Sequence, residues 1–288
     1  MTIHWYPGHI AKAEKKLQEL VNLADVVLEV VDARIPISSR YENLAKFVKD
    51  KPRLLILNKA DIADPVRNAE WAEYFERELG QKVVLTSASS TKDVSSVVKA
   101  AVELGKPVID KLVAKGRLPR PVRVIVMGMP NVGKSSIINK LIKTSKAKTG
   151  EKAGVTRAAQ WIRIHPKLEL LDTPGIIPMK LENQKAAEKL AMVNSLGEAA
   201  YDRIEVANSL SRLLFEKYKD VFCEYYKLEG QEEPPTLKDI ARSRKLLLPG
   251  NRLDIDRAAS MLLSDFRQGR IGSKGGRFTL ENTQEIEN

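Results

Sequence analysis

The chain reads Gly128-Met129-Pro130-Asn131-Val132-Gly133-Lys134-Ser135 directly after the apolar run Val122–Met127. This stretch has the G-x-x-x-x-G-K-S spacing of a phosphate-binding loop, and a helix is predicted from Lys134 onward. In such a loop, backbone N–H groups at the helix start hold phosphates, Lys134 reaches the β and γ oxygens, and the Ser135 hydroxyl ligates Mg²⁺. A strand before the loop and a helix after it make a purely structural glycine turn a poor alternative. We therefore predict a nucleotide-binding α/β domain.

A second motif, Asn58-Lys59-Ala60-Asp61, ends the apolar run Arg53–Leu57. A carboxylate at Asp61 can accept from N1–H and N2–H₂ of guanine, whereas adenine would leave this acid unpaired. The Asn58 side chain is expected to brace neighbouring loops, and the Lys59 stem to lie against the base. A backbone N–H from Thr86-Ser87-Ala88 would meet guanine O6, although the glycine usual a few residues later is missing from residues 89–93. GTP is therefore favoured over ATP.

A third motif, Asp172-Thr173-Pro174-Gly175, follows the apolar run Leu168–Leu171. Asp172 is predicted to hold a metal-bound water, and the Gly175 N–H to meet the γ-phosphate. Thr156, in the loop before the last two strands, is the candidate second hydroxyl ligand of Mg²⁺, with a surface threonine as the alternative. The complete set of predicted GTP contacts is Asn58, Lys59, Ala60, Asp61, Thr86, Ser87, Ala88, Pro130, Asn131, Val132, Gly133, Lys134, Ser135, Ser136 and Gly175, with Ser135, Thr156 and Asp172 around Mg²⁺.

The order of these motifs is unusual, because the guanine-reading motif precedes the phosphate-binding loop. Both halves of a nucleotide site are present, so the order indicates circular permutation, which is possible when the natural termini of a domain lie close together. Short runs rich in Val, Ile and Leu alternate with helix-length segments, and this pattern predicts a six-stranded, mostly parallel sheet. The predicted strands are Asp25–Asp32, Arg53–Leu57, Lys82–Thr86, Val122–Met127 and a hairpin of Gln160–His165 with Leu168–Leu171.

The sequence pattern changes after about Met179, where helical periodicity replaces the apolar runs typical of strands. Segments 184–197, 199–218, 236–246 and 254–268 are predicted helices, the last with Asp254 as N-cap and Gly269 as its end. We predict two domains, a circularly permuted GTPase domain over 1–178 and a smaller all-α domain over 179–288. The basic, glycine-rich tail from Gln268 to Arg277 is expected to be mobile or ordered by a partner.

Composition restricts the class of protein. Hydrophobic residues make up 43% of the 288, yet no run approaches the ~18 residues of a membrane span. The single Cys223 excludes an internal disulfide and fits a reducing cytosol. Of the net charge of +11, residues 106–167 carry +13, from 15 Lys/Arg and two acids. We therefore predict a cytoplasmic protein without a membrane partner that binds a polyanion such as RNA, with a charge-rich solvated surface as the alternative.

The motifs together resemble a known family. Trp5-Tyr6-Pro7-Gly8-His9, the permuted order, the phosphate-binding loop and Asp172-Thr173-Pro174-Gly175 are similar to those of the circularly permuted ribosome-assembly GTPases. The resemblance covers nearly the whole chain, with Tyr6 and Ile10 in place of the more usual Phe and Met. It implies a GTPase acting in late assembly of the large ribosomal subunit, with rRNA as the main contact of the helical domain and its tail, and ribosomal proteins nearby. We expect a monomer.

Hydrolysis needs a group that orients water, and the position after Gly175, where many GTPases have Gln, is Ile176. The resemblance points to His9 instead, because neutral imidazole can orient water. The alternatives for His9 are a histidine without chemistry at a helix start, or an rRNA contact. Asn131 matches an Asn that similar GTPases use to bind K⁺, with a tolerant loop residue as the alternative.

We predict that the protein docks on the assembling large subunit when GTP-bound and leaves after hydrolysis, with turnover raised by the particle. Two other functions remain open. One is a signalling GTPase, which would need a membrane anchor, and no such motif is present. The other is an RNA-binding assembly factor whose nucleotide is only structural.

Overall fold

The computed structural model of the chain describes residues 10–41, 44–87, 92–149, 160–172, 183–228, 230–272 and 275–286. Within these ranges, only the backbone is described at 10–13, 92, 144–149, 160 and 172.

Six strands form one sheet in the order β3-β2-β1-β4-β6-β5. All neighbours pair in parallel except β5 and β6, which form the predicted hairpin. Every residue of β1 is buried, as expected for a parallel sheet covered on both faces. The predicted six-stranded, mostly parallel sheet is confirmed. The strands are β1 Val26–Asp32, β2 Arg53–Asn58, β3 Lys82–Leu85, β4 Val122–Met127, β5 Gln160–His165 and β6 Leu168–Asp172.

Helices cover both faces of this sheet. Because alternate side chains of a strand point to opposite faces, β1 contributes Val27 and Val31 to one face and Val26, Leu28 and Val30 to the other. The first face carries helices α1 Ile10–Leu23, α2 Leu44–Val48 and α3 Pro65–Arg77. The second face carries α4 Lys92–Ala114 and α5 Lys134–Thr149.

The loops after β1, β2, β3 and β4 meet at one edge of the sheet, because parallel strands share their direction. This edge therefore brings together the guanine-reading motif after β2 and the phosphate-binding loop after β4. Their reversed order along the chain leaves their spatial relationship intact.

The rest of the chain is mainly helical, and residues 183–267 are called the helical region below. Asp254 caps α9 as predicted, accepting from the Arg257 N–H at 2.9 Å. The segment predicted as a helix over 199–218 differs, because α7 begins at Arg203, has non-helical backbone angles at Tyr218 and continues to Tyr226. A short hairpin also occurs where no strand was predicted. The elements are α6 Gln184–Met192, α7 Arg203–Tyr226, α8 Leu237–Ser243, β7 Leu247–Leu248, β8 Arg252–Leu253 and α9 Ile255–Arg267.

The segment after α9 packs against the protein itself. Ile271 is fully buried, and Arg270 forms an ion pair with Asp265 at 2.8 Å. Further on, the backbone N–H of Phe278 donates to the Ile62 carbonyl at 3.2 Å, and that of Leu280 to the Arg34 carbonyl at 2.8 Å. The expectation of a mobile or partner-ordered tail over 268–277 is therefore wrong for the described residues. The local composition is glycine-rich and basic, but contacts with distant loops order the segment.

Among the described residues, no helix combines the length and apolarity that a bilayer span requires.

Candidate functional site

The phosphate-binding loop begins at the end of β4 and passes into α5 at Lys134. The Lys134 ammonium donates to the Met129 carbonyl of the same loop at 2.7 Å. Burial lowers the pKa of Lys134 to about 8. A nucleotide phosphate bound here would place a negative charge beside the Lys134 ammonium, so phosphate binding favours the protonated form of Lys134.

Asn58 joins the guanine-reading motif to the phosphate-binding loop. Its side-chain amide donates to the Val132 carbonyl at 2.8 Å, and its amide oxygen accepts from the Thr86 hydroxyl at 2.9 Å. Asn58 is 5% exposed, so these two bonds are shielded from water. One buried side chain thus braces the loops after β2, β3 and β4 against one another.

Gly133 makes this bracing possible. Its φ is +102°, and a Cβ added there would lie 2.1 Å from Nδ2 of Asn58. A side chain at this position would have to displace the amide that holds the three loops together.

Gly133→Ala is expected to lower the affinity for GDP by about tenfold and to destabilise the fold by about 1–3 kcal/mol, because it combines backbone strain with loss of the Asn58 bonds. Titration with a fluorescent GDP analogue and urea unfolding measure the two effects. Gly80→Ala is the matched control, since Gly80 also has positive φ, +58°, but open space around it. Equal effects from both substitutions on nucleotide affinity would contradict the proposed role of Gly133.

Lys59 and Asp61 line a cavity of about 260 Å³. Lys59 adopts φ +64°, and its ammonium donates to the Asn131 carbonyl of the phosphate-binding loop at 2.8 Å. Asp61 is exposed, so its carboxylate is available to a ligand. The cavity is lined by Asn58, Lys59, Asp61, Ile62, Thr86, Ser87, Asp93, Val94, Val97, Gly133, Ser136, Ile137, Lys140 and Leu141.

The loop after β3 is held in place beside this cavity. The backbone N–H of Ser87 donates to the Asp93 carboxylate at 2.8 Å, and Lys140 of α5 donates to the Ser87 carbonyl at 2.6 Å. The Ala60 N–H donates to the Thr86 carbonyl at 3.0 Å, which connects this loop to the guanine-reading motif. The structure thus places Thr86 and Ser87 against the same cavity as Asp61.

The residues predicted to hold Mg²⁺ fit this metal as far as they are described. Ser135 is exposed in the first turn of α5, and Asp172 ends β6, the strand paired with β4. A hydroxyl and a carboxylate are oxygen donors of the kind that Mg²⁺ prefers, with phosphates and waters completing the shell. Among the described residues, no group of three or more His, Cys, Asp and Glu is placed to hold a metal.

Several predicted site residues cannot be placed. His9, Ala88, Thr156 and Gly175 lie outside the described residues, and only the backbone of Asp172 is described. Pro130 and Val132 lie in the phosphate-binding loop, and Ser136 follows Ser135 on α5.

Two residues that the sequence analysis missed support the site: Asp32 bonds Lys59, and Arg34 bonds Asp32. The Asp32 carboxylate, fully buried at the end of β1, accepts from Lys59 at 2.8 Å and from Arg34 at 2.7 Å. Burial alone would raise the pKa of Asp32, but the charges and hydrogen bonds of Arg34 and Lys59 hold it well below its usual range. Burial lowers the pKa of Lys59, and Asp32 opposes that shift. The sequence signal that could have identified Asp32 is an acid at the end of a buried strand, beside the strand that ends at Asn58.

Comparison with known proteins decides the family. Residues 123–222 match the family described as 50S ribosome-binding GTPase. The chain is 39% identical to ribosome biogenesis GTPase A from Bacillus cereus, with 99% of this chain and 96% of the relative covered. It is 32% identical to ribosome biogenesis GTPase A from Thermotoga maritima, with 98% and 95% covered. The chain belongs to the ribosome biogenesis GTPase A family.

Solved structures extend the likeness to the whole fold. The GDP-bound structure of TM YlqF is 28% identical, covers 93% of this chain and 99% of its own, and gives a TM-score of 0.64. The GNP-bound YlqF from T. maritima is 29% identical, covers 94% and 99%, and gives a TM-score of 0.62. The protein is therefore a GTPase with the permuted order of its motifs, and Mg²⁺ is its metal. It binds GTP and GDP.

Proposed function

We propose that this GTPase docks, as a monomer in the cytoplasm, on the assembling large ribosomal subunit when GTP-bound, late in assembly, and leaves after hydrolysis. The main support is a direct contact between the nucleotide site and the helical region. The Asn131 side-chain amide, in the phosphate-binding loop, donates to the Asn194 carbonyl just after α6 at 2.7 Å. Residues 1–178 would then sense the nucleotide, and residues 179–288 would respond by changing their contact with rRNA.

A basic pocket in the helical region supports rRNA as the partner. The Arg244 guanidinium lies 4.7 Å from the ring centre of Tyr225, and its Nη2 donates to the Tyr225 carbonyl. Its Nε is buried and has no hydrogen-bond partner among the described residues. Arg244 as a whole is only half-buried, and a guanidinium is suited to bind a phosphate oxygen.

Two further guanidinium groups line the same pocket, which has a volume of about 450 Å³. Arg257 is exposed on α9, and Arg270 is 46% exposed. The one acid in the lining, Asp265, is already paired with Arg270. Three guanidinium groups facing one neutralised carboxylate leave an excess of positive charge, as a phosphodiester backbone requires.

Arg257→Ala tests this contact with little risk to the fold, because the side chain is exposed. It is expected to weaken co-sedimentation with large subunits several-fold in the presence of a non-hydrolysable GTP analogue, and to reduce the slope of log affinity against log salt by about 1. Arg242→Ala is the control, since Arg242 is 69% exposed, on neighbouring α8 and outside the pocket lining. Equal binding by the Arg257 variant and the native protein at every salt concentration would exclude the pocket as an rRNA contact.

For hydrolysis, we infer that His9 orients the attacking water. Helix α1 is joined to β1 by Ala24 and Asp25 alone, so the helix runs back along the sheet. Its 14 residues span about 21 Å and the seven of β1 about 23 Å. The start of α1 at Ile10 is therefore expected at the edge that carries the phosphate-binding loop. A neutral imidazole directly before it is chemically suited to the task that Ile176 cannot perform.

His9→Ala is expected to reduce the subunit-stimulated rate of GTP hydrolysis by about 10²-fold while leaving GTP affinity unchanged. Single-turnover hydrolysis with saturating subunits measures the rate. His165→Ala serves as control, since His165 lies on β5 and accepts from the Lys167 N–H at 3.2 Å, as a structural histidine would. A stimulated rate that survives the loss of His9 would remove the catalytic assignment.

In the proposed site, Ser135, Thr156 and Asp172 hold Mg²⁺, which neutralises phosphate charge when bound. Gly175 approaches the γ-phosphate, and Ala88 completes the guanine contact.

We also propose that the Asn131 side-chain oxygen ligates K⁺, because its amide nitrogen already donates to the Asn194 carbonyl. Replacing K⁺ with Na⁺ should then slow hydrolysis, and equal rates in both salts would exclude the K⁺ site.

A further inference from the structure

The carboxylate of Asp32 is shared between the buried Arg34 and the half-buried Lys59. Oδ1 accepts from the Arg34 Nε at 2.9 Å, and Oδ2 accepts from both the Arg34 Nη2 at 2.7 Å and the Lys59 ammonium at 2.8 Å. Asp32 and Arg34 are 0% and 1% exposed. The bonds between Asp32 and Arg34 are therefore charge-assisted and protected from water, and such bonds are stronger than bonds at a surface.

The Lys59 ammonium is fixed between the end of β1 and the phosphate-binding loop. It donates to Asp32, the last residue of β1, and to the Asn131 carbonyl in the phosphate-binding loop, both at 2.8 Å. These two bonds fix the Lys59 ammonium, and Lys59 lines the same cavity as Asp61. Asp32 thus sets the position of a side chain that contacts the base, without touching the ligand itself.

Arg34 continues the same network into the helical region. Its Nη1 donates to the carbonyls of Phe266 and Arg267 at 3.4 and 3.3 Å, at the end of α9. Its guanidinium also lies 5.2 Å from the ring centre of Phe266. A helix C-terminus carries a partial negative charge of about half a unit. The end of α9 therefore balances part of the excess positive charge that remains when Arg34 and Lys59 share the single carboxylate of Asp32.

We propose that Asp32 is a positioning residue for the guanine nucleotide that acts through Lys59, and that Arg34 links this position to the end of α9. Nucleotide affinity then depends on how α9 is docked, because Arg34 satisfies Asp32 and the α9 carbonyls together. The network concerns nucleotide binding by the isolated protein, so its test does not require the ribosomal partner.

The test is GDP affinity, measured with a fluorescent GDP analogue on the full chain, with thermal unfolding in parallel. Asp32→Asn keeps the volume but loses the charge, and is expected to weaken GDP binding by about tenfold. Lys59→Met should weaken binding at least as much, and the double variant should bind no more weakly than Lys59→Met alone. Glu29→Gln is the control, because Glu29 is also a buried acid of β1 but pairs with Arg40 at 3.0 Å, away from the cavity.

Two results would overturn the proposal. One is native GDP affinity in folded Asp32→Asn; the other is a double variant whose loss equals the product of the two single losses. If Asp32 acts through Lys59, Asp32→Asn has little further effect on GDP binding once Lys59 has been replaced. General destabilisation would instead weaken GDP binding by the same factor in the native protein and in Lys59→Met.

If Asp32→Asn does not fold, Arg34→Lys provides the test instead. Lysine lacks the planar fork whose Nε and Nη2 bond Asp32 while Nη1 points to the α9 carbonyls, so binding should weaken about threefold, and unchanged binding would refute the link.

Discussion

Asp61→Asn is expected to lower GTP affinity by about a hundredfold or more and to create affinity for xanthosine triphosphate. The Asp61 carboxylate can accept from two guanine N–H groups, whereas an Asn amide offers one acceptor and one donor. The donor would face the N2–H₂ of guanine but would pair with the oxygen that xanthine has there. Competition of GTP and XTP against a fluorescent nucleotide measures both changes in one experiment.

Asp64→Asn is the matched control for this prediction. Asp64 caps α3 by accepting from the Val66 N–H at 2.9 Å, and Asn is an equally good N-cap. Asp64 is also absent from the cavity lining, so its replacement should preserve base preference. If Asp61→Asn retained native discrimination between GTP and XTP, the assignment of the 260 Å³ cavity to guanine would be wrong.

Lys134→Met is expected to weaken GDP and GTP binding by about a hundredfold, because it removes the ammonium that bonds the phosphates but keeps most of the apolar stem. The native protein should also show a pH dependence. With a pKa of about 8 in the free protein, Lys134 is mostly protonated at pH 7 and about one-tenth protonated at pH 9. Since the nucleotide binds the protonated form, affinity should fall by about tenfold between these two pH values.

The Lys134→Met variant also tests whether Lys134 causes this pH dependence. Lys134→Met should lose most of the pH dependence along with the affinity, whereas Lys143→Met, at an exposed position of the same helix, should retain both. Nucleotide affinity that is independent of pH in the native protein would mean that Lys134 is already paired with a negative charge, contrary to its contact with the Met129 carbonyl.

The parts of the fold predictable from sequence were those set by local periodicity. Apolar runs located all six strands, and the residue types at their ends placed Asn58, Asp61, Thr86 and Lys134 at one edge of the sheet. The Asp254 cap was predictable for the same reason, since a cap depends on residues three positions away. Strand ends in parallel sheets carry ligand sites, so this information sufficed to predict the nucleotide and its base.

Long-range contacts could not be predicted in this way. Arg34 bonds the carbonyl of Phe266 across 232 positions of sequence, and Leu280 bonds Arg34 across a similar distance. Nothing in the local sequence of either partner specifies the other. The segment after α9 illustrates the resulting error, because its glycines and basic residues favour disorder in isolation, while burial of Ile271 and Phe278 orders it.

The permuted order of the motifs acquires a physical consequence in the structure. The sheet's last strand in chain order, β6, ends at Asp172, and the next described helix is α6 of the helical region. Contacts from Asn131 to Asn194 and from Arg34 to the end of α9 join the two parts at the nucleotide edge. We propose that a change at the phosphates reaches the helical region through these contacts.

We propose that a ribosomal particle controls GTP hydrolysis by this protein. The most direct test is the rate of phosphate release from GTP, measured with and without purified large ribosomal subunits at fixed Mg²⁺ and K⁺. We predict slow turnover by the isolated protein and a rate raised about tenfold or more by the subunits, because partner contacts complete such active sites. Turnover that is the same with and without subunits, or no turnover in either condition, would contradict the account.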